Sequence, residues 1–199
     1  MKKVIWKLKI WTGKAGRMPL YWVFRFDKWH LFTLTERNYA RDIIAYCNKL
    51  NIRNSFAEIG CGLGDILRNV KFTSCLGLDN DKKVLAAAAF LNKLYFKKNI
   101  RLDVFHFPQS VFEGSYDVIV MVNWIHHIEP FTLKNKIEEY FDLFLQDKGA
   151  IIIDTVQDPE YEFNHNISFL TGDVNCEVVK IGDYERHREV WGITKTKSK

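Results

Sequence analysis

At 199 residues, 47% hydrophobic and 27% charged, the chain has the makeup of one folded domain and not of a disordered protein, and no stretch approaches the ~20 apolar residues of a spanning helix. Its net charge of +5 resides in residues 1–30, where Lys2, Lys3, Lys7, Lys9, Lys14, Arg17, Arg25 and Lys28 face only Asp27; the nearly neutral remainder argues against phosphate binding over the whole surface. Cys47, Cys61, Cys75 and Cys176 lack C-x-x-C spacing, which argues against a zinc site or a disulfide framework and fits reduced thiols in the cytoplasm.

Residues 1–34 carry Trp6, Trp11, Trp22 and Trp29 among Tyr21, Phe24, Phe26 and Phe32, with Gly13, Gly16 and Pro19 interrupting any period. They read as an arm or cap, and Lys7 and Lys9 break the apolar stretch too soon for a signal-peptide core. A helix is expected over 35–50, with Ala40, Ile43, Ile44 and Cys47 on its apolar face and Thr35 or Asn38 as cap. Residues 1–50 thus form a cap on a core over 51–199, all within one domain. From Asn54 onward strands and helices alternate: strands over 56–59, 75–79, 100–107, 116–123 and 149–156, helices over 65–71, 82–98 and 131–145. Two final strands, 175–181 and 189–195, meet at a turn around Gly182-Asp183. This order predicts an α/β fold, doubly wound, with a mostly parallel sheet, helices on both faces and an antiparallel end.

The most informative stretch is Glu58-Ile59-Gly60-Cys61-Gly62-Leu63-Gly64-Asp65, which leaves a strand and opens a helix. Glycines there let a ligand approach the backbone. A dinucleotide fingerprint would place glycine at position 65, but aspartate stands there and Glu58 precedes the first glycine. A close pair of like charges costs roughly 1 kcal/mol in water and about 4 near a protein surface, so a pyrophosphate is disfavoured. S-Adenosylmethionine, with an ammonium and a sulfonium beside its carboxylate, has the opposite preference. Asp79 ends the next strand, where a carboxylate can accept from both ribose hydroxyls. The rival role for Asp79 is capping the following helix, for which Asn80 and Asp81 compete.

With EIGCGLGD, GLDND, YDVIVMVNWIHHI and GAIIIDTV in that order, the sequence resembles the class I, Rossmann-like, S-adenosylmethionine-dependent methyltransferases over about residues 54–195. The resemblance implies a seven-stranded sheet whose last strand is antiparallel. It also implies a cofactor set of Glu58, Gly60, Cys61, Gly62, Gly64, Asp79, Asn80, Asp103 and Asn123. In that set Asp103 would meet the adenine amino group and Asn123 would end the fourth strand beside the donor methyl.

An aliphatic hydroxyl acceptor benefits from a general base, and histidine suits that near neutral pH. His127 and His126 follow Asn123, and His165 follows the fifth strand, so these three are the candidate catalytic residues; Asp154 and Thr155 are candidate pocket lining. Trp29 and His30 are expected to fold over the site. The acceptor expected is a small molecule, with a saccharide hydroxyl preferred. The basic arm keeps RNA, protein or an anionic membrane surface open as partners, although Asn123-Trp124-Ile125-His126 is not the N-P-P-Y signature of many base-methylating relatives. A non-catalytic cofactor-binding module is the remaining alternative.

Overall fold

A computed structural model describes residues 13–111 and 113–196. The strands are β1 (Ser55–Ile59), β2 (Ser74–Asp79), β3 (Ile100–Val104), β4 (Tyr116–Met121), β5 (Leu145–Val156), β6 (Cys176–Tyr184) and β7 (Arg188–Lys195). They form one sheet in the order β3-β2-β1-β4-β5-β7-β6. Neighbours from β3 to β5 are parallel, and β7 is antiparallel to both β5 and β6. The last strand therefore enters between β5 and β6 and leaves β6 on the edge. A short turn permits only antiparallel pairing, whereas the parallel strands each need a crossover.

The helices are α1 (Lys14–Phe24), α2 (Asn38–Cys47), α3 (Asp65–Asn69), α4 (Lys82–Leu94), α5 (Pro130–Glu139) and α6 (Ile167–Thr171). Strand alternation assigns them to two faces. Phe56 packs with Ala40, Ile43 and Cys47 of α2 and Ile66 and Leu67 of α3. Ala57 and Ile59 turn the other way, toward Leu133 and Ile137 of α5 and Leu170 of α6. Glu58 thus faces the α2 and α3 side. The apolar face of α1 (Leu20), with Phe26 and Leu31 beyond it, packs on Leu63 and on Val84, Ala87 and Leu91 of α4.

The structure amends several expected elements. Residues 14–24 are helical, with Pro19 inside. The apolar period was unreadable because the buried face includes Arg17. Neither Thr35 nor Asn38 caps α2, whose N-cap is Arg37 without a side-chain bond. The chain leaves α4 at Leu94, and Phe96 then adopts φ 56°. After α5, Tyr140–Phe144 widens into a π turn and Leu145 already starts β5. Gly182 lies at a register shift inside the final hairpin. The turn falls at Glu185, Arg186 and His187, the latter two left-handed at φ 61° and 49°. Helix α6, capped by the side chain of Asn166, had no apolar repeat long enough to announce it. Among the described residues all four cysteines are free thiols. Lys2, Lys3, Lys7, Lys9, Trp6 and Trp11 lie outside the described residues.

Candidate active site

The glycine turn is left-handed at Gly60, Gly62 and Gly64 (φ 76°, 53° and 75°). The Gly60 and Cys61 amides both donate to the Leu78 carbonyl, at 2.7 and 2.9 Å, which ties the turn to the end of β2. The Gly62 amide donates to Asp79 Oδ2 at 2.8 Å, and the Asp81 amide to Asp79 Oδ1 at 3.0 Å. Asp79 is thereby fixed by two backbone donors, and each oxygen retains acceptor capacity toward the cleft. Capping of α4 falls to Asp81, which accepts from the Lys83 amide at 2.7 Å. A methyl at Gly60 would sit 2.3 Å from the Trp124 ring and strain a positive φ. Gly60→Ala is therefore expected to cost ~3 kcal/mol or more of stability, seen as a fall of several degrees in Tm; an unchanged Tm would contradict this packing.

The two acids that flank the turn have different fates. Glu58 is buried, and its Oε2 has no protein hydrogen-bond partner. Burial, and then the nearby Asp65 charge, push its pKa well above the usual carboxylate range. Asp65 instead receives both its oxygens' contacts from Arg17 Nη2, at 2.7 and 2.9 Å, and a further bond from Arg68 Nη2 at 2.8 Å. Burial alone would raise the Asp65 pKa, but Arg17 and Arg68 hold it below its ordinary value. The expectation that both acids attract a cation is corrected accordingly. Only Glu58 remains for a ligand, because Asp65 is neutralised by an arginine 48 positions away.

Around the turn, Glu58, Gly60, Cys61, Gly62 and Asn123 line a small cleft with Trp29, His30, Arg37 and Tyr39. Beside it, Asp79 and Asn80 border a slot walled by Phe105, Phe107, Trp124 and Ile128. Trp124 donates to the Ile59 carbonyl at 2.7 Å, which fixes its ring against Gly60. A third cleft, 680 Å³ in volume, opens from Asn123 and is lined by Arg37, Tyr39, Tyr161, Tyr184, Arg186 and Arg188, with Glu36, Asp183 and Glu185 among its acids. Asn123 is held left-handed (φ 74°), and its amide donates to Asp154 Oδ1 at 2.8 Å. Asp154 is fully buried and ion-paired with Arg188, so it shapes the cleft from within. Thr155, also buried, accepts from Trp191 Nε1 at 3.0 Å.

Trp29 and His30 do reach over the site, as the sequence suggested. The three histidines named as catalytic candidates line neither cleft among the described residues. His126 is buried, with its ring 4.0 Å from Tyr161 and 4.3 Å from the exposed His127. Burial, with the His127, Arg188 and His165 charges, lowers the His126 pKa to about 4. His165 is buried, and its Nε2 lies 2.9 Å from the Ile125 carbonyl, to which it donates in the matching tautomer. It fastens the loop that carries His126. Asp103 lies exposed on β3, paired with Arg101 at 2.9 Å, and does not line the slot. Gly64 serves as the N-cap of α3. Arg37, Tyr39, Tyr184 and Arg188 were missed: each looks like an ordinary surface residue until the chain folds. Phe105 and Phe107 were visible only as strand residues. Among the described residues no three His, Cys, Asp or Glu side chains converge to hold a metal, and no helix is long and apolar enough to cross a membrane.

A left-handed glycine turn after β1, an amide-fixed carboxylate ending β2 and an antiparallel β7 beside β5 together define the class I S-adenosylmethionine-dependent methyltransferases. A family model described as a methyltransferase domain matches residues 57–145 of this chain. The chain is a methyltransferase whose cofactor is S-adenosylmethionine. No curated protein sequence matches it significantly. Among solved structures, the N-methyltransferase NodS of Bradyrhizobium japonicum WM9, in complex with S-adenosylhomocysteine, is 15% identical with a TM-score of 0.68, over 81% of this chain and 88% of that one. CalS10 of Micromonospora echinaspora, an amino pentose methyltransferase with bound cofactor, is 12% identical with a TM-score of 0.61, over 88% and 94%. The magnesium protoporphyrin IX methyltransferase of Synechocystis PCC 6803 is 12% identical with a TM-score of 0.64, over 82% and 81%. At such identities the likeness is one of fold.

Proposed function

We propose that this enzyme methylates a small polar acceptor of the saccharide class, on a hydroxyl or an amine, in the 680 Å³ cleft beside Asn123. The observation that carries the cofactor half of this reading is the buried, unpartnered Glu58 Oε2. A buried acceptor without a partner is costly, and a cationic ammonium resolves that cost. Arg37, whose buried Nε likewise lacks a partner, lines the same cleft and suits the donor carboxylate. Asp79 would hold the ribose hydroxyls, and Asn80 with the Phe105, Phe107 and Ile128 slot would flank the adenine.

When bound, S-adenosylmethionine supplies a methyl group on a positively charged sulfur, a leaving group that needs no acid. The protein's task is then to align the acceptor beside Asn123 and exclude water. Tyr39, Tyr161 and Tyr184 offer flat faces to the C–H surface of a sugar, while Glu36, Asp183 and Glu185 offer acceptors and Arg37 and Arg186 donors for its hydroxyls. His126 backs the Tyr161 ring, and its low pKa makes it a weak base at neutral pH. We therefore assign the His126–His127 pair to shaping the Tyr161 wall. His127→Ala is expected to leave kcat within about threefold, whereas removal of a general base would cost ~100-fold or more; steady-state rates separate the two. CalS10, an amino pentose methyltransferase, keeps company with this acceptor class.

The proposal is tested by incubating the protein with methyl-labelled donor and fractionated extract. Label in saccharide supports it, and label confined to RNA or protein overturns it. Of the basic arm, Arg17 is already engaged by Asp65 and is not available to phosphates.

A further inference from the structure

Trp29, His30 and Arg37 reach the proposed donor cleft from a segment that precedes the sheet. One buried side chain gives that segment a directional tie to the glycine turn. Arg17 of α1 is 4% exposed. Its Nη1 donates to the carbonyls of His30, at 3.1 Å, and Phe32, at 2.6 Å. Its Nη2 donates to both oxygens of Asp65, at 2.7 and 2.9 Å. Asp65 is the first residue of α3, directly after Gly64. A single guanidinium therefore joins the backbone on either side of Leu31 to the helix that opens behind the glycine turn.

Apolar packing of Leu20, Phe26 and Leu31 also holds this region down, but it is non-directional and does not fix how far His30 sits from Gly62. The planar fork of an arginine does fix it, because its donors have set directions. The tolerance is small: a methyl added at Gly62 would lie 2.9 Å from His30 Nδ1. Asp65 is neutralised by Arg17 and Arg68 together. Two cations on one acid suggest a task for Arg17 beyond neutralising Asp65.

We propose that Arg17 is a positioning residue for cofactor retention, acting through His30 and the segment from Lys28 to Arg37. Arg17 itself does not line the small cleft. The inference rests on the assignment of that cleft to the methyl donor. Lysine at this position preserves the charge, but a single ammonium cannot reach His30, Phe32 and Asp65 in the same fork geometry. The segment would then rest over the turn without its directional tie.

The test is S-adenosylhomocysteine binding by calorimetry and stopped flow, on the full chain carrying Arg17→Lys, with Arg17→Ala as a second variant. The expected result for Arg17→Lys is a Kd raised about tenfold, carried by faster dissociation at a nearly unchanged association rate. The double variant Arg17→Lys with His30→Ala should exceed the weaker-binding single variant by no more than about threefold, because both act through one element. A general loss of fold would instead lower Tm and the fraction of competent protein, leaving the Kd of that fraction unmoved. Wild-type affinity in a folded Arg17→Lys protein, or fully multiplicative effects in the double variant, overturns the proposal. If Asp79→Ala loses binding while Arg17→Lys keeps it, the donor site stands and only the role of Arg17 falls. Failure of the unaltered protein to bind S-adenosylhomocysteine overturns both.

Discussion

Replacing Asp79 by alanine is expected to weaken S-adenosylhomocysteine binding by about a hundredfold or more, measured by calorimetry. The side chain already accepts from the Gly62 and Asp81 amides, so its two oxygens are fixed where the proposed ribose hydroxyls arrive. Hydrogen bonds to a charged acceptor contribute roughly 1.5–3 kcal/mol each. Loss of two, partly offset by water, amounts to about 3 kcal/mol, or roughly a hundredfold. The substitution also frees the Gly62 amide, which loosens the turn itself. Asp79→Asn retains one acceptor oxygen where two are needed and should fall between, near tenfold. Because Asp81 caps α4, neither variant should unfold that helix, and far-ultraviolet circular dichroism checks this. Undiminished affinity in a folded Asp79→Ala protein would remove the ribose assignment.

Glu58→Gln should act on both affinity and pH dependence. Burial and the Asp65 charge raise the Glu58 pKa well above its ordinary value in the ligand-free protein. The folded state therefore holds a proton that the unfolded chain releases near pH 4.3. Stability falls as pH rises above that value toward the raised native pKa, since there the unfolded state binds fewer protons. Glutamine removes this slope, so the variant should be the more stable protein at the upper end of the window. Donor binding runs the other way. An ammonium over the carboxylate requires Glu58 ionised, so binding releases a proton and affinity increases with pH until the native pKa is passed. Glu58→Gln should flatten that dependence and cost about ten- to a hundredfold in affinity, the loss of one charge-assisted contact. Calorimetry in two buffers of different ionisation enthalpy reads the proton release directly. An identical pH profile in the variant would show that Glu58 does not face the ammonium.

The alternating elements from Asn54 onward were legible because parallel strands buried on both faces leave continuous apolar runs, as in 118–122 and 150–153. The glycine turn was legible because its constraint is local: positive φ at three spaced positions is written in one residue type, glycine. Asp79 followed from its place at the end of β2. The acceptor side was far less legible. His126, His127 and His165 attracted attention as chemically capable side chains next to strand ends. The burial of His126 and His165, the ring contact of His126 with Tyr161 and the carbonyl bond of His165 depend on the Tyr161 loop and the Ile125 backbone. Asp103 had suitable chemistry and order, yet on the edge strand β3 it lies exposed beside Arg101.

The sequence by itself determined the sheet's class, the glycine turn after β1 and the carboxylate that ends β2, because each is written in residues within a few positions of one another. Only the tertiary structure decided which charges remain available. Asp65 is engaged by Arg17 from α1 and Asp154 by Arg188 from β7, whereas Glu58 Oε2 has no protein hydrogen-bond partner. The physical reason is that an ion pair depends on distance in space, and its members here stand 48 and 34 positions apart in the chain.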